Sequence, residues 1–298
     1  MIGAVDIGGT KIAVAMLDRT GDILARRENP SGSSLALPDG LALIFSMLKE
    51  TARAAGGELE GIGIGCTGPV DPLTGTLGQI EFLPGWHGCN LVAELQNAFS
   101  VSAFLENDAD AAALGELAWG AGKDAIRFIY LTVSTGIGGG MVFDGHLYRG
   151  VEGAHPEIGH HVIDPSGPQC FCGARGCWES LAGGPALAAR GGKSDALTVC
   201  QAAEQGVAEA CHAVEQEAYY LGLGLANLVT LFVPDVIALG GGVMRSRHLF
   251  WDKILLTIQE NCGLVPFEKT RLIPTQLGSD AGLAGAAQVW IKGSQSDA

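Results

Sequence analysis

Apolar residues follow two rhythms along this chain, and the change from one to the other divides it. The first thirty residues hold short β-rich runs, IGAVDI, KIAVAML and ILARRE, separated by the turn signals GGT and DRTGD. They predict three strands joined by hairpins. Much the same layout returns at 128–149, where FIYLTV leads into STGIGGG, then MVF, Asp144-Gly145 and HLYR. A glycine-rich hairpin therefore opens each half, as a weak internal repeat. Between the hairpins the pattern predicts a helix over about 40–55, a strand at 60–65, a loop containing LPGW, a strand at 102–105 and an alanine-rich helix after Asn107. Further along it predicts helices near 182–190, 194–206 and 207–230, a buried strand VIALGGG and a final helix over 281–291. The polar tail GSQSDA is expected to fray. Strands alternating with helices make an α/β protein.

Composition narrows the class of partner. At 298 residues, 47% hydrophobic and 17% charged, the chain can bury a large core and is long enough for two lobes. A formal charge of -14, from 18 basic against 32 acidic residues, argues against nucleic acid, whose backbone is bound by neutralising phosphates. MIGAVDIGGTK enters a strand pattern at once, without a basic leader, and no apolar run is long enough to span a bilayer. A cytoplasmic location, small-molecule partners and no membrane contact are expected.

The eight cysteines sharpen this picture. In EIGHHVIDPSGPQCFCGARGCWE, His160 is followed by Cys170, Cys172 and Cys177, with Gly173 and Gly176 to let the backbone fold tightly. One His and three Cys complete a tetrahedral zinc set, and a closed set of four has a structural task. Glu157 and Glu179 flank it. The remaining cysteines are scattered and read as small core residues.

Two glycine turns suit a phosphate chain. Asp6-Ile-Gly8-Gly9-Thr10-Lys11 sets a carboxylate at a strand end and bare backbone straight after it, so N–H groups can donate to phosphate oxygens while Asp6 holds a magnesium-bound water. A hairpin with an incidental Asp would explain GGT alone. Its recurrence at Ser134-Thr135-Gly136-Ile137-Gly138-Gly139-Gly140 favours two loops on one ligand. Gly240-Gly241-Gly242 offers a third approach, to a base or ribose, or a simple strand-to-helix turn. Gly63-Ile-Gly65-Cys-Thr-Gly68 spells a dinucleotide fingerprint, but Pro69 denies it the helix that would receive a pyrophosphate. Asn107 and Asp108 stand at a helix start, where they are either caps or, for Asp108, a carboxylate able to take a proton from an attacking hydroxyl.

Taken together, DIGGTK, ENDADAAALGE, STGIGGG, PEIGH and CFCGARGCWE resemble, in order and spacing, the ROK family of sugar kinases and sugar-responsive repressors. The resemblance implies the two-lobed actin-like ATPase (sugar kinase/Hsp70) fold, with an active-site cleft between an N-terminal lobe, 1–115, and a C-terminal lobe, 116–298, that carries the zinc loop. The final helix would be free to pack back on the N-terminal lobe. By the same resemblance Asp108 is the general base, and Asn107, Asp108, Glu157, His160 and Glu179 meet the sugar, with His160 serving zinc through its other ring nitrogen. Asp6, Gly8, Gly9, Thr10, Lys11, Thr135, Gly136, Gly138 and Gly241 would line ATP and its magnesium.

Three positions depart from the family pattern. Phe82 stands where many members carry Asn before the LPGW segment, Asp110 stands where Asn is commoner, with a minor effect expected, and GAHPEIGH replaces GxxGEIGH as in fructokinase-like members. The resemblance implies a homodimeric or homotetrameric kinase that transfers the γ-phosphoryl group of ATP to the 6-hydroxyl of glucose. N-acetylmannosamine, N-acetylglucosamine and fructose kinases are the neighbouring alternatives. A sugar sensor is the alternative of another class; with five residues before Asp6, the repressors' DNA-binding domain is not expected there.

Overall fold

A computed structural model describes residues 1–296, and the predicted alternation takes definite form in it. The first half runs β1 (Ile2–Ile7), β2 (Lys11–Leu17), β3 (Ile23–Pro30), α1 (Leu37–Ala55), β4 (Gly61–Cys66), a small hairpin of β5 (Val70–Asp71) and β6 (Thr76–Leu77), α2 (Leu91–Phe99), β7 (Ser102–Asn107) and α3 (Asp108–Trp119). The second runs β8 (Arg127–Val133), β9 (Ile137–Phe143), β10 (His146–Leu147), α4 (Trp178–Ala182), α5 (Gly184–Arg190), α6 (Ala196–Glu204), α7 (Ala208–Phe232), β11 (Val236–Gly240), α8 (Trp251–Asn261), β12 (Arg271–Pro274) and α9 (Ala281–Ser296). Helix α9 extends five residues past the predicted end and absorbs most of the tail expected to fray, while Asp297 and Ala298 lie outside the described residues.

The internal repeat is a repeat of topology. One sheet has the order β3-β2-β1-β4-β7 and the other β10-β9-β8-β11-β12, so each begins as a hairpin and grows by parallel strands on the far side. Contacts divide the chain into unit 1, residues 1–124, 140–156 and 276–298, and unit 2, residues 125–139 and 157–275. A single cut near residue 115 does not describe this: the chain passes between the units four times, once inside β9, and α9 belongs with unit 1.

Unit 1 is a sheet covered on both faces. Val5, Ile7, Val14, Ile62 and Ile64 pack with Ile44 and Leu48 of α1, whereas Ile2, Ala4, Ala13 and Ala15 pack with Leu283, Ala286 and Trp290 of α9. Strand β4 reads GIGIGC because α9 and α3 lie almost on its backbone. A Cβ at Gly61 would fall 1.8 Å from the Trp290 ring, one at Gly63 1.7 Å from the Ala286 carbonyl, and one at Gly65 3.2 Å from Ala111. The apparent dinucleotide fingerprint is thus a strand face stripped of side chains for helix packing, in agreement with its rejection from sequence. Helices α3 and α9 cross equally closely, Gly115 against Gly285.

In unit 2 the long helix α7 packs against α8, α6 and α4, and Gly224 makes room on it for the fully buried Trp178 of α4, whose ring would lie 2.1 Å from a Cβ there.

Candidate active site

Unit 1 gathers its chemistry at the ends of β1 and β7. Along β1, Asp6 shares a face with Ile2 and Ala4 and so points toward α9, where a Cβ on Gly282 would come within 2.5 Å of its Oδ2. Burial, and then the charge of Asp108, push the Asp6 carboxyl up to about 7, against the pull of Lys11. The glycine turn follows directly. The Gly8 N–H donates to the Lys11 carbonyl at 2.9 Å, and the Ser31 hydroxyl donates to the Gly8 carbonyl at 2.8 Å. Thr10 is exposed, and the Lys11 ammonium pairs with Glu28 at 3.1 Å. Phe82, half exposed, lies across Gly9: a Cβ there would be 3.0 Å from its ring.

At the start of α3 the structure separates two readings that sequence left joined. Asn107 is the cap, its Oδ1 accepting from the N–H groups of Ala109 at 2.9 Å and Asp110 at 3.3 Å, while its NH2 group takes no part in the cap. Asp108 is the first helical residue and accepts from Ala109 N–H at 2.9 Å. Desolvation by burial raises its carboxyl above the usual range, and the backbone N–H and His155 oppose the rise.

The partners of the acids beside Asp108 escaped the sequence reading. Glu106, 3% exposed, receives Arg149, and burial still pushes it up to about 7. Asp110, 1% exposed, has Oδ2 2.7 Å from Nδ1 of His155. Asp110, a departure from the family pattern, is therefore partnered by the histidine of the GAHPEIGH segment. Glu116, with no exposure, accepts from the backbone N–H groups of Ala121 at 2.7 Å, Gln276 at 3.0 Å and Leu277 at 2.8 Å, and so ties the end of α3 to the approach of α9. It stands in the ENDADAAALGE motif, but nothing in that motif names its partners.

Unit 2 gathers its own set. Ser134 N–H donates to the Gly136 carbonyl at 2.8 Å and closes the second glycine turn after Gly136. Gly138, expected in the loop, lies inside β9 with Gly139 and Gly140. Gly241, at φ +97, rests on β8, where a Cβ would fall 2.3 Å from the Val133 carbonyl; the left-handed conformation and the close approach both require glycine. Thr135, Gly136 and Gly241 thus meet at the carboxyl ends of the parallel strands β8 and β11, where α/β sheets bind ligands. Glu179 joins them, its Oε2 accepting from Ile137 N–H at 2.8 Å and sitting 2.3 Å from where a Gly136 side chain would begin.

The thiol loop is next to this turn. One ligand atom each from His160, Cys170, Cys172 and Cys177 lies within 4.8 Å of all the others. His160 Nδ1 is 3.5 Å from Cys170 Sγ, and Cys172 Sγ is 3.5 Å from Cys177 Sγ. Tetrahedral zinc, with bonds of about 2.3 Å to sulfur, needs its thiolates about 3.8 Å apart, so the set fits a metal ion of that kind. Burial, and then the other thiols, push Cys177 up to about 12, and a cation is what would favour its thiolate. The imidazole turns Nε2 the other way, 3.9 Å from Glu179 Oε1. Glu157 is exposed, and its carbonyl accepts from His160 N–H at 3.0 Å.

Two repeated α/β units, each with a glycine hairpin after its first strand and acidic side chains beside it, define the actin-like ATPase fold. The ROK family model matches residues 2–293, and the chain belongs to that family. It is 31% identical to the glucokinase of Thermotoga maritima over 96% of this chain and 95% of that one. It is 34% identical to an N-acetylmannosamine kinase of Salmonella heidelberg, over 95% and 96%. The xylose repressor of Bacillus subtilis is 33% identical, over 78% of this chain and 61% of the repressor. Among solved structures, the ROK hexokinase of Thermus thermophilus superposes with a TM-score of 0.88 at 34% identity, covering 99% of both chains. A ROK family glucokinase of Streptomyces griseus, in complex with glucose and AMPPNP, gives 0.80 at 31%, over 97% and 98%. The relatives matched along nearly their whole length support a sugar kinase. Among the described residues, no helix is long and apolar enough to cross a membrane.

Proposed function

We propose that this protein is an ATP-dependent hexose kinase acting on the 6-hydroxyl of glucose. The observation that carries the proposal is the placement of Asp108: a carboxylate anchored in the first turn of α3, desolvated, and electrostatically coupled to Asp6 beside the first glycine turn. Its raised affinity for a proton suits a general base. As the hydroxyl oxygen bonds to the γ-phosphorus and the bond from that phosphorus to the β–γ bridging oxygen breaks, the hydroxyl proton passes to Asp108, and ADP leaves with the electron pair.

Other residues orient the reactants. Asn107 offers its NH2 group, Glu157 its carboxylate, and Glu179 and His160 Nε2 a facing pair, to the remaining sugar hydroxyls. The backbone of Gly8, Gly9, Thr10, Lys11, Thr135 and Gly136 donates to phosphate oxygens, and Gly241 approaches the nucleoside. Magnesium, bound with the phosphates and held through water by Asp6, would neutralise their charge. Zinc on His160, Cys170, Cys172 and Cys177 would fix the ring of His160 and the loop around it.

A panel of glucose, mannose, fructose, N-acetylglucosamine and N-acetylmannosamine, assayed with ATP and magnesium, tests the proposal. Glucose should give the highest kcat/KM. A tenfold preference for an acetylated sugar or fructose would replace the substrate and leave the kinase, whereas binding without turnover of any sugar would identify a sensor.

A further inference from the structure

Three acids alternate across the junction of β7 and α3: Glu106, Asp108 and Asp110. The outer two are almost wholly buried, and each meets a basic side chain from one short segment of unit 1, Arg149 on Glu106 and His155 on Asp110. The middle one takes a backbone N–H instead. Buried carboxylates this close oppose one another's ionisation, and a base is of use only while ionised. Arg149 cannot give up its proton, so Glu106 presents no net negative charge to Asp108 whether it is paired or protonated. Asp110, with His155 Nδ1 at 2.7 Å, is balanced in the same way when the imidazole is protonated.

We propose that Arg149 and His155 are positioning residues for the phosphoryl-transfer step, which compensate the charges of Glu106 and Asp110 so that Asp108 alone among the three acids is available to take the proton. This rests on the reading of Asp108 as the base. It assigns a task to the segment that carries both residues, which runs up to the PEIGH motif and has no role in the proposed site.

Charge removal with the hydrogen bond kept is the test. In His155→Asn the amide can still donate to Asp110 but carries no charge, and kcat for glucose should fall about tenfold or more while KM stays within about threefold. Adding Asp110→Asn removes the uncompensated carboxylate, and the double variant should recover most of the lost turnover. If His155 served packing alone, the second substitution would leave the loss unchanged or deepen it, and that result overturns the proposal, as does wild-type kcat in His155→Asn. Near-normal melting temperatures for both variants show that they fold. Asp108→Asn in the same assay separates the two claims: normal turnover there removes the base itself, whereas an inactive Asp108→Asn with no rescue removes only the compensation.

Discussion

In unit 2, His160 and three cysteines come together from one loop; in unit 1, Glu106 and Asp110 find their partners 43 and 45 residues further along the chain. Both clusters concentrate groups that resist sharing a charge state. The thiols suit a cation as the relief, and their spacing along the chain is fixed by that small ion, so sequence alone announces them. The acids are relieved by side chains from elsewhere in the fold, and no spacing rule connects those positions. A set of candidate metal ligands is therefore local and readable, whereas a tuned carboxylate is a property of tertiary structure.

The largest expected effect breaks the comparison at the acid cluster. Asp108→Asn should lower kcat by about 10²–10⁴ and leave glucose affinity nearly intact. Because Asn107 supplies the cap, the melting temperature should hardly move. Turnover within a few-fold of wild type would show that the acid cluster has no chemical role.

At the other cluster, Cys172→Ser should take the zinc content from about one per chain to near zero in elemental analysis and weaken glucose binding at least about tenfold by calorimetry. Full sugar affinity in a zinc-free preparation would separate the metal from recognition.

A third substitution tests how far unit 1 depends on distant packing. Gly63→Ala places a methyl group against the Ala286 carbonyl and should cost about 1–3 kcal/mol in urea unfolding, with unchanged zinc content. No loss would mean that α9 can move off β4 freely.

The last expected effect is a dependence of stability on pH. Asp6 and Glu106 hold their protons up to about 7 in the folded state, while the unfolded chain releases them in the ordinary carboxylate range. Between those values the folded state binds more protons, so stability falls as pH rises from about 4 toward 7 and levels off above it. Without nucleotide or magnesium the melting temperature should be lower at pH 7.5 than at pH 5; the opposite slope would show that these carboxyls ionise as easily as exposed ones.

Much of this was legible in the sequence, for reasons that particular residues show. The strands around GGT and STG could be read because a glycine turn interrupts a β-rich run, and the His160, Cys170, Cys172 and Cys177 cluster because its spacing is that of a tetrahedral metal set. Gly138 was misplaced because glycine marks a turn and a crowded strand equally well, and β9 uses it as strand. Arg149, His155 and Glu116 carry no local signal: an arginine, a histidine and a glutamate become informative only when the fold shows what each one faces. Asp110 came nearest to being found, since its departure from the family pattern was visible while its partner was not.

The glycine face of β4 also bears on the order in which the protein is made. The face of the first sheet formed by Ile2, Ala4, Ala13 and Ala15 has its cover in Leu283, Ala286 and Trp290, which the ribosome adds after every other strand and helix described above. Until synthesis has passed residue 290, that sheet has an open apolar side, with the indole of Trp290 not yet bonded to Ser102. Unit 2 has all its segments by residue 275 and can settle while unit 1 waits. The half of the molecule that begins first is completed last, and in that interval it is the half that most needs protection from its neighbours.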